Sequence, residues 1–237
     1  MAIFLVAHGA WSSGWAWKKV RPLMRERGHE LWTPSYTGLG ERSHLANPEI
    51  DLELHIKDVV NVLEYEDLDD VVLVSHSYGG MVGTGVDDRA APRLQQLIYL
   101  DAFLPRDGQS LHDLVPAEHV THQREQAIDG WKVRPTPVPP DTSADDKAWI
   151  EARRMPQPIK TLAQKLRLKN GETKLPRSYI YCTKKAPGDV FVQFAERAKR
   201  DGWPYFELDA SHSPNVTAPK ALVKLINEVV ASAPRLD

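Results

Sequence analysis

The chain has 237 residues, of which 42% are hydrophobic and 26% are charged, and its 30 Lys and Arg against 32 Asp and Glu give a net charge of −2 with His neutral. This composition excludes an intrinsically disordered chain, which combines low hydrophobicity with high net charge. The single Cys excludes a small fold held by internal disulfides. Because nucleic-acid binders usually carry a basic face, the near-neutral charge gives no reason to expect a nucleic-acid partner.

No stretch of the sequence approaches the roughly 20 apolar residues that a membrane span requires, so we expect no membrane partner. Residues 1–6 lack the basic region of a secretory signal and have the composition of a strand. We therefore expect a cytoplasmic protein that folds as a single domain over residues 1–237. A domain of this size buries a core that needs no metal or crosslink.

Short apolar runs alternate with helical patterns along the chain, an order that is typical of βαβ units and of a parallel sheet. Apolar residues at helical spacing predict helices over residues 51–66 and 218–231. The fold class is therefore α/β, with a mostly parallel central sheet flanked by helices. Six runs without polar alternation are predicted to be strands buried on both faces, at residues 3–7, 29–33, 71–75, 97–101, 178–183 and 204–208.

Residues 105–175, which follow the strand that ends near Asp101, do not continue this alternation. The segment is rich in Pro and has no convincing strand pattern. Because long segments of this kind inside a compact domain are usually functional, we predict an insertion that covers one edge of the sheet.

The third predicted strand runs directly into His76-Ser77-Tyr78-Gly79-Gly80, and a helix of small residues follows. A strand, a sharp turn at a serine and a helix form the context of a nucleophile elbow, which needs small residues two positions from the serine. Gly79 meets this need on one side, whereas Ser75 replaces the usual Gly on the other. Ser77 is accordingly the candidate nucleophile, and the alternative is a turn serine that caps a helix.

A serine hydroxyl is a weak nucleophile unless a base lies within hydrogen-bond distance. Among the nine His residues, His212 is the candidate base because it follows the last strand, at the edge of a parallel sheet where sites form. In acyl transfer, backbone N–H groups must also face the oxyanion of the intermediate. The N–H groups of Ala10, after the first strand, and of Tyr78, after Ser77, are the candidates for this oxyanion hole.

Six motifs distributed along the chain are the basis of a family resemblance: His8-Gly9-Ala10-Trp11, Gly14-Trp15-x-Trp17, Gly28-His29, His76-Ser77-Tyr78-Gly79-Gly80-Met81, Phe103-Leu104-Pro105 and His212-Ser213-Pro214. Together they resemble the α/β-hydrolase superfamily, and within it the plant methyl-salicylate esterases, the hydroxynitrile lyases and their bacterial carboxylesterase relatives. The resemblance implies an α/β-hydrolase fold, a helical cap over residues 105–175, and ester hydrolysis without a cofactor or a metal. It gives Ser77 the role of nucleophile and His212 the role of base. It gives Ala10 and Tyr78 the role of oxyanion donors.

The carboxylate that the base needs to stabilise its imidazolium is an open assignment. In this branch of the superfamily the acid usually follows the penultimate strand, where this chain has Lys185, and a Lys cannot serve. Asp101 is the favoured candidate, because a carboxylate inside an apolar run is expected to be buried and paired. Asp189 is the alternative acid, provided that the turn before it returns it to the site.

These assignments predict a serine carboxylesterase that cleaves small-molecule esters through an acyl-enzyme on Ser77. One alternative is a hydroxynitrile lyase or a carbon–carbon cleaving enzyme, but the lyases carry a Thr where this chain has Gly9 and a Lys where it has Ser213. A second alternative is a ligand-binding receptor with little turnover, which Lys185 at the expected acid position keeps open. Relatives often form dimers through the cap, so the resemblance also raises a homodimer as an expectation.

Overall fold

Six parallel strands form the central sheet of the molecule. The computed structural model describes residues 1–171, 173–185 and 187–232, so that residues 172, 186 and 233–237 of the predicted domain lie outside the described part. The strands in chain order are β1 (Ile3–Ala7), β2 (Glu30–Trp32), β3 (Val71–His76), β4 (Leu94–Leu100), β5 (Lys132–Val133), β6 (Gln157–Pro158), β7 (Arg177–Cys182) and β8 (Tyr205–Leu208). The central sheet has the order β2-β1-β3-β4-β7-β8, and all its pairs are parallel. Each predicted run overlaps one of these six strands, and the predicted sheet is confirmed.

Strand β4 begins at Leu94, earlier than its apolar pattern indicates. Its pairing with β3 shifts register between Val71 and Val72. Gln96 nevertheless lies inside the strand with 1% of its surface exposed, and its amide donates a hydrogen bond to Ser178 Oγ at 3.2 Å. Because its amide is hydrogen-bonded, the buried Gln96 is compatible with the strand. It nevertheless interrupts the apolar run by which the strand is recognised in the sequence.

Helices cover both faces of the sheet. In chain order they are α1 (Val20–Glu26), α2 (Leu52–Tyr65), α3 (Gly79–Ala90), α4 (Ala117–Glu125), α5 (Ala144–Glu151), α6 (Lys160–Ala163), α7 (Val192–Arg200), α8 (Pro214–Thr217) and α9 (Pro219–Ser232). The two helices predicted from the sequence are α2 and α9. Helix α2 begins after Asp51, whose carboxylate accepts the Leu54 N–H at 2.9 Å and caps the helix. Within the described residues, no helix has the length and apolarity that a membrane crossing requires.

Alternate residues of each strand point into two hydrophobic cores. In β1, Leu5 and Ala7 contribute to a core shared with α2, α3 and α7, whereas Phe4 and Val6 contribute to a core shared with α1 and α9. This alternation follows from the two-residue period of a strand. Because both faces are covered, the strands appear in the sequence as continuous apolar runs.

The insertion after β4 contributes α4, α5 and α6, and its side chains Leu111, Val133, Leu162 and Leu166 belong to the core on the α2 side of the sheet. It also contains β5, which pairs with β6 in antiparallel orientation. The expectation that this segment holds no strand is therefore wrong. Two-residue strands are too short to show the period by which strands are recognised in a sequence.

A glycine on α3 accommodates the serine that replaces the usual glycine before Ser77. A Cβ atom built at Gly83 would lie 1.9 Å from Ser75 Oγ and 3.0 Å from Ser75 Cβ. The two positions therefore share one small volume between β3 and α3. Only one of them can carry a side chain without a shift of the helix.

We predict that Gly83→Ala destabilises the protein by about 1–3 kcal/mol, because the added methyl overpacks this contact. The double variant Ser75→Gly/Gly83→Ala should recover most of that loss. Urea unfolding of the wild type, both single variants and the double variant measures the coupling between the two sites. Effects that simply add would contradict the shared volume.

Candidate active site

Ser77 lies in a tight turn between β3 and α3, in a backbone conformation that is uncommon for a residue with a side chain. Its φ angle is 56°, in the left-handed region, where strain is of the order of 1–3 kcal/mol. Two backbone hydrogen bonds hold the turn: the Ser77 N–H donates to Leu100 O at 3.3 Å, and Ser77 O accepts the Phe103 N–H at 3.2 Å. The end of β4 thus fixes the conformation that presents the Ser77 hydroxyl.

Glycines let the neighbouring backbone approach this turn. A Cβ atom at Gly79 would lie 1.9 Å from Ala7 O, so that the first turn of α3 packs directly on the end of β1. A Cβ atom at Gly9 would lie 3.1 Å from Ser77 Cβ. The loop after β1, which carries Ala10, is therefore in contact with the serine turn.

His212 lies on the loop between β8 and α8, with its ring against Ser77. Its Nε2 is 2.9 Å from Ser77 Oγ. The ring of Phe191 stacks on the His212 ring with centroids 4.6 Å apart, and His76 Nε2 donates a hydrogen bond to His212 O at 2.7 Å. Burial lowers the pKa of His76 to about 3, so this ring is a neutral donor. His76 and Phe191 therefore fix the backbone and the ring of His212.

Asp101 follows β4 and holds the other side of His212. Its Oδ2 is 2.7 Å from His212 Nδ1, while Oδ1 accepts the Cys182 N–H at 3.2 Å and the Lys185 ammonium at 2.6 Å. No part of its side chain is exposed. Burial by itself raises the pKa of Asp101, but the hydrogen bond and charge of His212, together with the charge of Lys185, outweigh it and hold the pKa below its ordinary value. The carboxylate is consequently ionised at neutral pH.

Asp189, the alternative acid, has other partners. Its carboxylate accepts hydrogen bonds from the Tyr181 hydroxyl at 2.7 Å and from the Phe191 N–H at 3.0 Å, and it lies 3.4 Å from the Lys185 ammonium. Lys185, at the position where the resemblance implies an acid, thus connects the two carboxylates. Asp101 contacts His212, and Asp189 contacts the counterion of Asp101.

The two candidate oxyanion donors flank Ser77. Ala10 lines the cavity above the site, and Tyr78 immediately precedes the first turn of α3. Neither of their N–H groups donates a hydrogen bond to another residue in the described part of the chain. The Tyr78 side chain points elsewhere, since its hydroxyl pairs with His55 Nδ1 at 3.0 Å. The N-terminus of a helix and two free N–H groups are suited to bind an anionic oxygen.

Ser77 and His212 open into a cavity of about 630 Å³. Its walls come from the loops after β1, β3, β7 and β8 and from residues 136–140, Ile150 and Arg154 of the insertion. The volume lies in the range of small-molecule sites. The structure therefore brings Ser77, His212 and Asp101 into one chain of hydrogen bonds at the floor of a small-molecule cavity.

Comparison with known families matches residues 3–225 to the Alpha/beta hydrolase family. The chain belongs to this family. A solved structure of an extracellular α/β-hydrolase from a Paenibacillus species agrees with this hydrolase at a TM-score of 0.84 and 28% identity, covering 96% of this chain and 98% of that one. That protein is described as sharing structural and functional homology with tobacco salicylic acid-binding protein 2. The α/β-hydrolase fold expected from the sequence is confirmed.

Curated relatives group this hydrolase with the esterase-type members of the family. The carbendazim hydrolyzing esterase of Nocardioides sp. (strain SG-4G) is 37% identical over 237 residues, covering 94% of this chain and 98% of the relative. Salicylic acid-binding protein 2 of Nicotiana tabacum is 27% identical over 103 residues, covering 43% of this chain and 40% of that protein. The resemblance to the plant esterase branch and its bacterial relatives is confirmed.

Sequence reasoning missed three neighbours of the site. It gave no part to His76 or Phe191, and it treated Lys185 only as the absence of an acid. The sequence signal for this ion pair is a lysine at the expected acid position together with an aspartate at the end of β4, the neighbour of β7 in the sheet. No sequence pattern marks Phe191, because its contact with His212 depends on how two loops of the hydrolase fold together.

We predict that Lys185→Met lowers the free energy of unfolding by about 3 kcal/mol, because removing one partner of a buried pair leaves the other charge uncompensated. Lys184→Met is the matched control: that ammonium is half exposed and pairs with the exposed Asp209. Its loss should cost no more than about 0.5 kcal/mol. Urea unfolding of both variants makes the comparison, and equal losses would contradict the structural weight given to Lys185.

Proposed function

We propose that this hydrolase is a serine carboxylesterase that cleaves small esters through an acyl-enzyme on Ser77. The observation that carries the proposal is the chain of hydrogen bonds from Ser77 Oγ through the His212 ring to Asp101 Oδ2, with distances of 2.9 Å and 2.7 Å. A nucleophile, a base and a group that orients the base are the components of acyl transfer to serine.

In the proposed reaction His212 Nε2 removes the hydroxyl proton as Ser77 Oγ attacks the ester carbonyl. Asp101 holds the His212 ring with Nδ1 protonated and stabilises the imidazolium that forms. His212 then returns the proton to the departing alcohol, which leaves the acyl group on Ser77. A water molecule, deprotonated by His212 in turn, attacks this acyl-enzyme, and His212 returns the proton to Ser77 Oγ as its bond to the acyl carbon breaks and the acid is released.

The oxyanion of each tetrahedral intermediate is stabilised by the N–H groups of Ala10 and Tyr78. Both are without a partner among the described residues, and Tyr78 adds the positive end of the α3 dipole. Donors that are already oriented act without reorganisation as charge develops, which is the source of their effect on rate.

The esterase assignment is supported over the alternatives by particular residues. Gly9 and Ser213 lack the polar side chains that the lyases carry at these positions. The receptor hypothesis rested on Lys185 in place of the acid, and a carboxylate bound to His212 removes that reason. The names of the relatives, an esterase that hydrolyses carbendazim among them, also favour an ester-type substrate.

The experiment is hydrolysis of p-nitrophenyl acetate by wild type and Ser77→Ala, with intact-mass spectrometry under rapid quench. We expect turnover and an acetyl adduct on the wild type, and a loss of about six orders of magnitude with no adduct in Ser77→Ala. Ser213→Ala, which changes another serine of the same cavity, should still form the adduct. A wild type no faster than Ser77→Ala would contradict the proposed function.

A further inference from the structure

A cation from the insertion faces the same cavity as Ser77. Arg154, which follows α5, lines the cavity together with Trp11 and Thr136. Its guanidinium lies over the indole of Trp11, with Cζ 5.5 Å from the ring centroid, and Nη1 donates a hydrogen bond to Thr136 O. One of its five N–H donors is thereby engaged.

Trp11 is a fixed platform for this guanidinium. Its backbone N–H donates to Gln157 Oε1 at 2.9 Å, and its indole Nε1 donates to Val133 O at 3.1 Å. Both acceptors belong to the short β5–β6 pair of the insertion. Because the ring is held at two points and Nη1 binds Thr136 O, the guanidinium over the ring is oriented before any ligand arrives.

Arg154 differs from the two lysines of the cavity in forming no ion pair with a described residue. The Lys185 ammonium pairs with Asp101 and Asp189, and the Lys184 ammonium lies 3.3 Å from Asp209. Within the described residues, no carboxylate lies within 4.0 Å of the Arg154 guanidinium. Burial lowers the pKa of Arg154 to about 10, an effect that the charge of Glu151 opposes, and the group remains protonated at neutral pH.

We infer that Arg154 on its Trp11 platform is a subsite for a carboxylate carried by the substrate, and that the favoured substrates are half esters of dicarboxylic acids. The inference rests on the proposed ester hydrolysis and names its substrate class. The guanidinium has four N–H groups besides the one that binds Thr136 O, and a carboxylate accepts two guanidinium N–H groups at once. A partly desolvated cation without a counterion also gains most from such a ligand, since water screens the pair less.

The test uses methyl half esters of linear dicarboxylic acids with four to eight carbons, each compared with the neutral ester in which a primary amide replaces the carboxylate. The half ester and its amide analogue have nearly the same shape, so the ratio of their kcat/KM values reports the effect of the carboxylate charge. For the chain length that best spans the cavity, we expect the wild type to prefer the half ester by about 10–100-fold, the discrimination typical of a charged hydrogen-bonded pair. The ratio should fall to about 1 in Arg154→Met and be partly kept in Arg154→Lys.

Arg153→Met is the matched control. Arg153 is the adjacent residue, is exposed, and stacks on Trp149 away from the cavity lining. The substitution Arg153→Met removes the same charge from the same segment, but the preference for half esters should remain. If Arg154 had only a structural role, through its bond to Thr136 O, Arg154→Met would lower the stability of the protein but leave the half-ester preference in place.

Calorimetric binding of the same ester pairs to Ser77→Ala separates this inference from the proposed function. Tighter binding of the half ester, lost in Ser77→Ala/Arg154→Met, supports the subsite even if the wild type turns over no ester. The inference is overturned if no chain length gives a preference in binding or turnover, if Arg154→Met keeps the preference, or if Arg153→Met loses it equally.

Discussion

The site depends on a single buried charge, the carboxylate of Asp101. Removing an ionised carboxylate from water is costly unless hydrogen bonds and opposite charge replace the lost hydration. Here the replacement comes from three places: a backbone N–H at the end of β7, the Lys185 ammonium after β7, and the His212 ring after β8. The need to compensate this charge therefore draws together the loops that form the floor of the cavity.

The buried charge of Asp101 gives Lys185 a structural role. A lysine at the position where the resemblance implies an acid cannot serve as one, but here it supplies the counterion for the carboxylate of Asp101 at the end of the adjacent strand. One Asp101 oxygen is thereby neutralised, and the other is directed at His212. Lys185 also lies over the ring of Phe191, which stacks on His212. Acid, counterion and aromatic wall thus form one packed unit.

The sequence was sufficient for the sheet and for helices α2 and α9, because strands buried on both faces leave continuous apolar runs and an amphipathic helix leaves a helical period. The family followed from the resemblance of six motifs. The sequence also identified Ser77 and His212 as candidates from their positions after strands. It left the identity of the acid undecided, because the choice between Asp101 and Asp189 depends on the path of the loop after β7. It missed the β5–β6 pair, whose two-residue strands carry no period, although this pair holds Trp11, which lines the cavity.

We propose Asp101, and not Asp189, as the acid that serves His212. The most direct measurement compares kcat/KM for ester hydrolysis in Asp101→Asn and Asp189→Asn. We expect kcat/KM to fall by about four orders of magnitude in Asp101→Asn, as removal of a triad carboxylate typically produces. In Asp189→Asn it should change only a few-fold. A large loss confined to Asp189→Asn would contradict this assignment.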